Sequence, residues 1–248
     1  MHAANQFAPV LDKKTFFNEP EFRAQLGVML GLQDSMNAIV FHDWKERGLA
    51  WHRAIYIEAG ELLDHMGTWK WWKKGTPDVP QAVMELVDIW HFGLSWYIGR
   101  FGQTVGSESL VQGITVRVRA AAETYNWNAA PSDKYRMEKV DDLVAAAGDQ
   151  RFATEPFVHL MASMGMDFST LFVRYVGKNA LNRFRQANGY KQGTYIKEWE
   201  GREDNVHLDE ILHMLRQTPS DQLMAAVMGH LEGRYRDLFS HSVAGGKV

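Results

Sequence analysis

Between Gln81 and Ile98 the strongly polar positions are only Gln81, Glu85, Asp88, His91 and Ser95. Val83, Val87, Trp90 and Leu94 recur at helical spacing and form one apolar stripe. Ile89 and Phe92 flank the two acids, so this helix is apolar nearly all round. Such a helix packs inside a bundle rather than wetting one face. Its acids are then partly buried, and a buried charge needs a partner. The helix expected before it, from Trp51 to Met66, carries Glu58 and Glu61. Each acidic pair is spaced by three, which puts both of its members on one helix face. A connection near Gly75, Pro77 and Pro80 turns the two helices antiparallel and gathers the four carboxylates. Four facing acids repel strongly unless cations sit between them. Hard divalent ions with oxygen ligands are the natural occupants, and magnesium is the usual one when the substrate carries phosphates.

The same periodicity places the other elements. Phe22, Leu26, Met29, Leu30 and Met36 predict a helix over 21–41, after an irregular lead over 1–20. Gln33 and Asn37 are four apart on it and share a face. Their amides are either surface residues or a donor and acceptor set for a pyrimidine edge. Residues 42–50 read as a polar loop. Weak helical patterns over 108–125 and 133–147 fall in a stretch, 103–155, that reads as a cap or insertion. Leu160, Met161, Met164, Phe168, Leu171 and Phe172 predict one amphipathic helix over 157–175.

Beyond it, Lys178, Asn182 and Arg185 share one helical face, and Gly189 supplies a stop. Six cations lie from Lys178 to Arg202, with glycines at 189, 193 and 201. A solvated basic helix and turn has this composition. So has a donor set for triphosphate oxygens. One or two terminal helices over 206–239 are broken at Pro219, and 240–248 read as a frayed tail. The expected fold is all-α: a helical bundle with the acidic site between helices, in a single domain over 1–248. Its core covers about 20–100 and 156–240.

Composition removes several alternatives. The chain has 248 residues, 46% of them hydrophobic and 23% charged, which suits a soluble globular domain. A net charge of −3 argues against a general nucleic-acid binder. The chain has no cysteine, which excludes disulfides, cysteine nucleophiles and thiolate metal sites. No secretory signal and no membrane-length apolar run is recognised, so a cytoplasmic location is expected. The histidines show no H-x-x-x-H pairing, which argues against a zinc hydrolase.

Three stretches carry a family resemblance: E-A-G-E-L-L-D from Glu58, W-K-W-W-K from Trp69, and E-L-V-D-I-W-H-F from Glu85. A longer one runs from Lys178 to Asn205, as K-N-x-L-N-x-F-R-Q-x-x-G-Y-K-x-G-x-Y-x-K-x-W-x-G-x-E-D-N. Together they resemble the dimeric, all-α dUTPase family, which is unrelated in fold to the trimeric β-barrel dUTPases. The resemblance covers roughly 26–98 and 174–205.

It implies Mg2+-dependent hydrolysis of dUTP, and also of dUDP, to dUMP, by a homodimer. Two or more magnesium ions would be held by Glu58, Glu61, Glu85 and Asp88, with Glu58 activating water. Gln33, Asn37, Trp71, His91 and Phe92 would form the base pocket. The spacing from Glu61 to Trp69 is one residue longer than the family pattern, which leaves Trp69, Trp71 and Trp72 as alternatives for its wall. Lys178, Arg185, Tyr190, Lys191 and Lys197 would meet phosphates, and Asn182 the deoxyribose 3′-hydroxyl. The acidic quartet is shared across the wider group of all-α NTP pyrophosphatases. A dCTP or dual dCTP/dUTP pyrophosphatase is therefore an alternative, since amides suit either pyrimidine edge. A non-catalytic nucleotide sensor or protein-binding homologue is a second alternative.

Overall fold

A computed structural model describes residues 11–244, with side chains as far as 238. Among the described residues the chain is all-α apart from one short ribbon. The helices are α1 (Lys13–Phe16), α2 (Glu19–Val40), α3 (Trp51–Met66), α4 (Val79–Phe101), α5 (Ser107–Thr124), α6 (Asp133–Gly148), α7 (Thr154–Ser163), α8 (Phe168–Ala187), α9 (Asp204–Met214) and α10 (Ser220–Ala244). A 3₁₀ turn, Trp44–Glu46, precedes α3. The ribbon pairs β1 (Glu198–Trp199) antiparallel with β2 (Arg202–Glu203). No described helix is long and apolar enough to cross a membrane.

The chain forms two compact units. One holds the described part of Met1–Asp34 together with Asp43–Phe172. In it α3 packs along α4 and α6, and α7 lies against α5 and α6. Trp90 of α4 is fully buried and stacks on Phe157 at 5.0 Å. Gly93, one turn on, has no side chain for a reason: a Cβ there would sit 2.7 Å from the Phe152 ring. Leu110, Ile114, Val118, Val140 and Leu143 are buried, so the 103–155 stretch brings its own apolar faces into this unit.

The second unit holds Ser35–His42 and the described part of Val173–Val248. An aromatic cluster of Phe184, Tyr195, Trp199 and Tyr235 fills it. Tyr195 stacks on Tyr235 at 5.4 Å, and Trp199 is 1% exposed.

The helix expected over 157–175 is two helices. Gly165 adopts φ 73 between α7 and α8, a left-handed conformation that ends the first of them. Met164, Met166 and Phe168 are all buried across the break. The apolar pattern therefore runs on where the backbone does not. In the expected lead, α1 is capped by Asp12, whose carboxylate accepts from the Lys14 and Thr15 amides at 2.9 Å. The rest of that lead, residues 1–10, lies outside the described residues. In the expected loop, Trp44 is buried and donates its indole N–H to Asp34 at 2.9 Å. The expected tail is helical as far as Ala244, and 245–248 lie outside the described residues.

Candidate active site

The α3–α4 hairpin runs antiparallel. His65, at the end of α3, meets Glu85 near the start of α4, while Trp51, at the start of α3, stacks with Phe92 further along it. The connection is pinched at its base. Gly67 caps α3 at φ 69, Gly75 passes so close that a Cβ on it would overlap the Gly67 carbonyl, and the Asp78 amide donates to the His65 carbonyl at 2.7 Å. The antiparallel turn brings the two helices' acids together. One carboxylate oxygen from each of Glu58, Glu61 and Glu85 lies within 4.8 Å of the others. Glu61 is exposed, Glu58 half-buried and Glu85 buried, so the cluster grades from solvent into the helix pair. Asp88, one turn after Glu85, is half-buried and falls outside that 4.8 Å group.

Three like charges at this separation raise one another's energy, and a divalent cation relieves that repulsion. The donor set is all carboxylate, with no thiolate and with one imidazole beside it, which fits a hard ion such as magnesium rather than zinc. His65 Nε2 stands 3.5 Å from Glu85 Oε1. The sequence reading passed His65 over, although it follows Glu61 by four on α3 and so shares its face.

Of the proposed base-pocket residues, Gln33 and His91 are both 4% exposed and bonded to each other. His91 Nδ1 donates to Gln33 Oε1 at 2.7 Å. An amide oxygen only accepts, so this contact sets the ring tautomer. Phe92 is half-buried against Trp51 at 6.2 Å. Trp71 stands 89% exposed on the pinched loop, edge-on to Trp72 at 5.5 Å, while Trp69 is half-buried with Lys70 over its ring. Lys70 in turn pairs with Asp64 and holds that carboxyl below its ordinary range. Asn37, also on α2, is 7% exposed and belongs to the second unit.

The basic stretch lies wholly in the second unit. Lys178 is 3% exposed and donates to Asn205 Oδ1 at 2.9 Å. Arg185 is 8% exposed and forks onto Asp204, Nε to Oδ2 at 2.8 Å and Nη2 to Oδ1 at 2.7 Å. Its Nη1 donates to Asn182 Oδ1 at 3.3 Å. Asp204 is fully buried and also accepts from the Tyr195 hydroxyl at 2.8 Å. Burial pushes the Asp204 carboxyl up, but the Arg185 and Tyr195 hydrogen bonds and nearby positive charge outweigh it and hold the carboxyl below its ordinary range. Burial and that same carboxylate push the Tyr195 phenol well up. Tyr190, Lys191 and Lys197 are exposed. Lys191 donates to the Val40 carbonyl at 2.8 Å, and Lys197 pairs with Glu203 at 3.1 Å. The role of Asp204 escaped sequence reading, although the residue closes the motif in which Arg185 was singled out.

The family model that matches the chain is described as dUTPase, and it spans residues 25–190. That range holds the whole acidic cluster, Gln33, His91 and the tryptophan loop. No curated protein matches the chain in sequence.

Proposed function

Since the chain belongs to the dUTPase family, a family of nucleotide pyrophosphatases, we propose that it hydrolyses dUTP, and also dUDP, to dUMP. The observation that carries this reading is the meeting of Glu58, Glu61 and Glu85 across the α3–α4 hairpin, within the matched residues. Glu58, Glu61, Glu85 and Asp88 are the residues that would hold magnesium, in two or more ions. Bound there, the metal would neutralise phosphate charge and stabilise the charge that develops on the departing oxygens. Glu58, half-buried at the cluster, takes a proton from water. The water oxygen bonds to the α-phosphorus, the α–β bridging P–O bond breaks, and pyrophosphate leaves with the bond's electron pair.

Base choice is assigned to Gln33 and His91. Gln33 Oε1 is bonded to His91 Nδ1, which fixes the two side chains against each other, and an amide of this kind offers a donor or an acceptor to a pyrimidine edge. The family match supports dUTP over the dCTP alternative. Phe92 and Trp71 are proposed as the flat walls, and Asn37 as a further amide toward the base edge. For phosphate oxygens we assign Lys178, Arg185, Tyr190, Lys191 and Lys197, and for the 3′-hydroxyl Asn182, on the chemistry of their donors and the motif they share. The resemblance extends the proposal to a homodimer, and a cytoplasmic location is proposed with it. Pyrophosphate release measured with dUTP, dCTP, dTTP and UTP tests it. A site built on a specific polar edge rejects a mismatched base by factors of about 10⁴. Comparable rates for dCTP and dUTP would transfer the assignment to a dual pyrophosphatase.

A further inference from the structure

At the far end of the α3–α4 hairpin from the acids, a cleft of about 600 Å³ opens in the first unit. Glu85 and Arg100 lie at opposite ends of α4, separated by about 22 Å of helix axis at the usual rise per residue. The cleft lies within the size range of small-ligand sites. Its walls are indoles. Trp51 meets buried Trp44 edge-on at 5.8 Å and is set from behind by the Phe92 stack, while Trp96 packs edge-on to Phe101 at 5.7 Å. Both Trp51 and Trp96 stay partly exposed.

Charge around the cleft is one-sided. Lys45, Arg100 and Arg151 line it against a single lining acid, Asp149. Lys45 pairs with Asp34 and Arg151 with Asp149, while exposed Arg100 makes no ion pair among the described residues. One wall also carries an unusual backbone. Gln150 adopts φ 56, a left-handed conformation that residues other than glycine and asparagine seldom take. Its amide closes the end of α6 by donating to the Ala147 carbonyl at 2.9 Å, and its own carbonyl accepts from Trp96 Nε1 at 2.8 Å. The bond from Trp96 ties α4 to this wall and leaves a polar amide side chain at a position where glycine is the ordinary choice.

Packing explains buried aromatics. It does not explain partly exposed indole faces beside an exposed arginine, Arg100, that makes no ion pair among the described residues. We propose that this cleft is a second binding site, distinct from the acidic cluster, for a flat aromatic anion of nucleoside-monophosphate size. The ring lies against Trp51 and Trp96, and the anionic group meets Arg100 and Arg151.

Calorimetric titration of the full-length protein with AMP and with dUMP, in EDTA and in magnesium, tests this. The set comprises wild type, Arg100→Glu, Trp96→Ala and Glu61→Gln. Arg100 is exposed, so its variant keeps the fold and leaves dUTP turnover unchanged. The proposal expects one saturable site per chain with at least one of the two monophosphates. That site persists in EDTA and in Glu61→Gln, and Arg100→Glu weakens it by roughly tenfold or more. Absence of binding by either monophosphate overturns it. So does binding that Glu61→Gln removes and Arg100→Glu leaves intact, because that locates the ligand at the acids. A concentration-dependent self-association abolished by Arg100→Glu also overturns it, in favour of a second copy of this chain on the cleft. None of these outcomes bears on whether dUTP is hydrolysed.

Discussion

Arg185 grips Asp204 with two parallel hydrogen bonds, and Asp204 is completely removed from solvent. This pair, not the surface charge, organises the second unit's basic stretch. The same carboxylate takes the Tyr195 hydroxyl, and the Asp204 amide donates to the Lys197 carbonyl at 3.0 Å. Charge-assisted forks of this kind fix direction as well as energy.

Asp204→Asn keeps the shape but leaves the Arg185 guanidinium without its counter-charge. Breaking a buried pair from one side costs about 3–5 kcal/mol, and urea denaturation should show a loss of that order. The folded-state carboxyl lies below its ordinary value, so its stabilisation is fully present above about pH 3.9 and is lost as pH falls through the lower, folded value. In the variant that part of the acid-induced loss should disappear. Unchanged stability at neutral pH would mean that the pair contributes nothing net.

The acidic cluster should behave in the opposite way. Glu61→Gln removes one charge from a repelling group, so without magnesium its melting temperature should equal or exceed that of the wild type. Added magnesium should raise the wild-type melting temperature by linkage and leave the variant nearly unmoved. An equal magnesium shift in both proteins would remove Glu61 from the ligand set.

His159 gives the first unit a pH response. It is 6% exposed, accepts from the Tyr135 hydroxyl through Nδ1 at 2.9 Å and donates through Nε2 to the Ala121 carbonyl at 3.0 Å. Burial holds its pKa below the ordinary value of 6.5, and pushes the Tyr135 phenol up to about 12. The unfolded chain therefore takes a proton first as pH falls. Stability should be level above about pH 6.5 and decline below it until the folded-state value is passed. A flatter decline is expected in His159→Gln, followed by thermal melts between neutral and mildly acidic pH. An identical decline in both proteins would assign the response elsewhere.

The helix expected from Trp51 to Met66 matches α3 residue for residue, and Gly67, left-handed at φ 69, is the local signal that ends it. Periodicity also paired the acids correctly in principle, since i, i+3 spacing and an antiparallel turn are enough to bring Glu58, Glu61 and Glu85 together. What it missed is long-range or masked by continuity. The break at Gly165 is hidden by buried methionines on both sides. The Asp204–Arg185 pair joins residues on different helices, and neither side of it has a periodic signature. Asp88 shares a face with Glu85 in sequence, yet its distance from the other acids depends on how α3 crosses α4, which spacing does not encode.

The structure also divides the basic stretch in two. Within 195–205 Trp199 and Asp204 are buried and Tyr195 stacks on Tyr235, while 190–194 form an exposed turn around Gly193, at φ 73. Amide exchange should be slow at Asp204, whose amide donates to the Lys197 carbonyl, in the empty protein and faster in the exposed 190–194 turn, and the turn should slow with magnesium and a non-hydrolysable dUTP analogue. Fast exchange throughout would show that the aromatic anchor does not hold the stretch.

The most direct test of the central claim is pyrophosphate release from dUTP by wild type and by Glu85→Gln, followed as magnesium is titrated. The account predicts release of one pyrophosphate per dUMP that requires magnesium, with turnover lowered by a factor of about 10² or more in the variant. Magnesium-independent release, or near-normal turnover by Glu85→Gln, would contradict it.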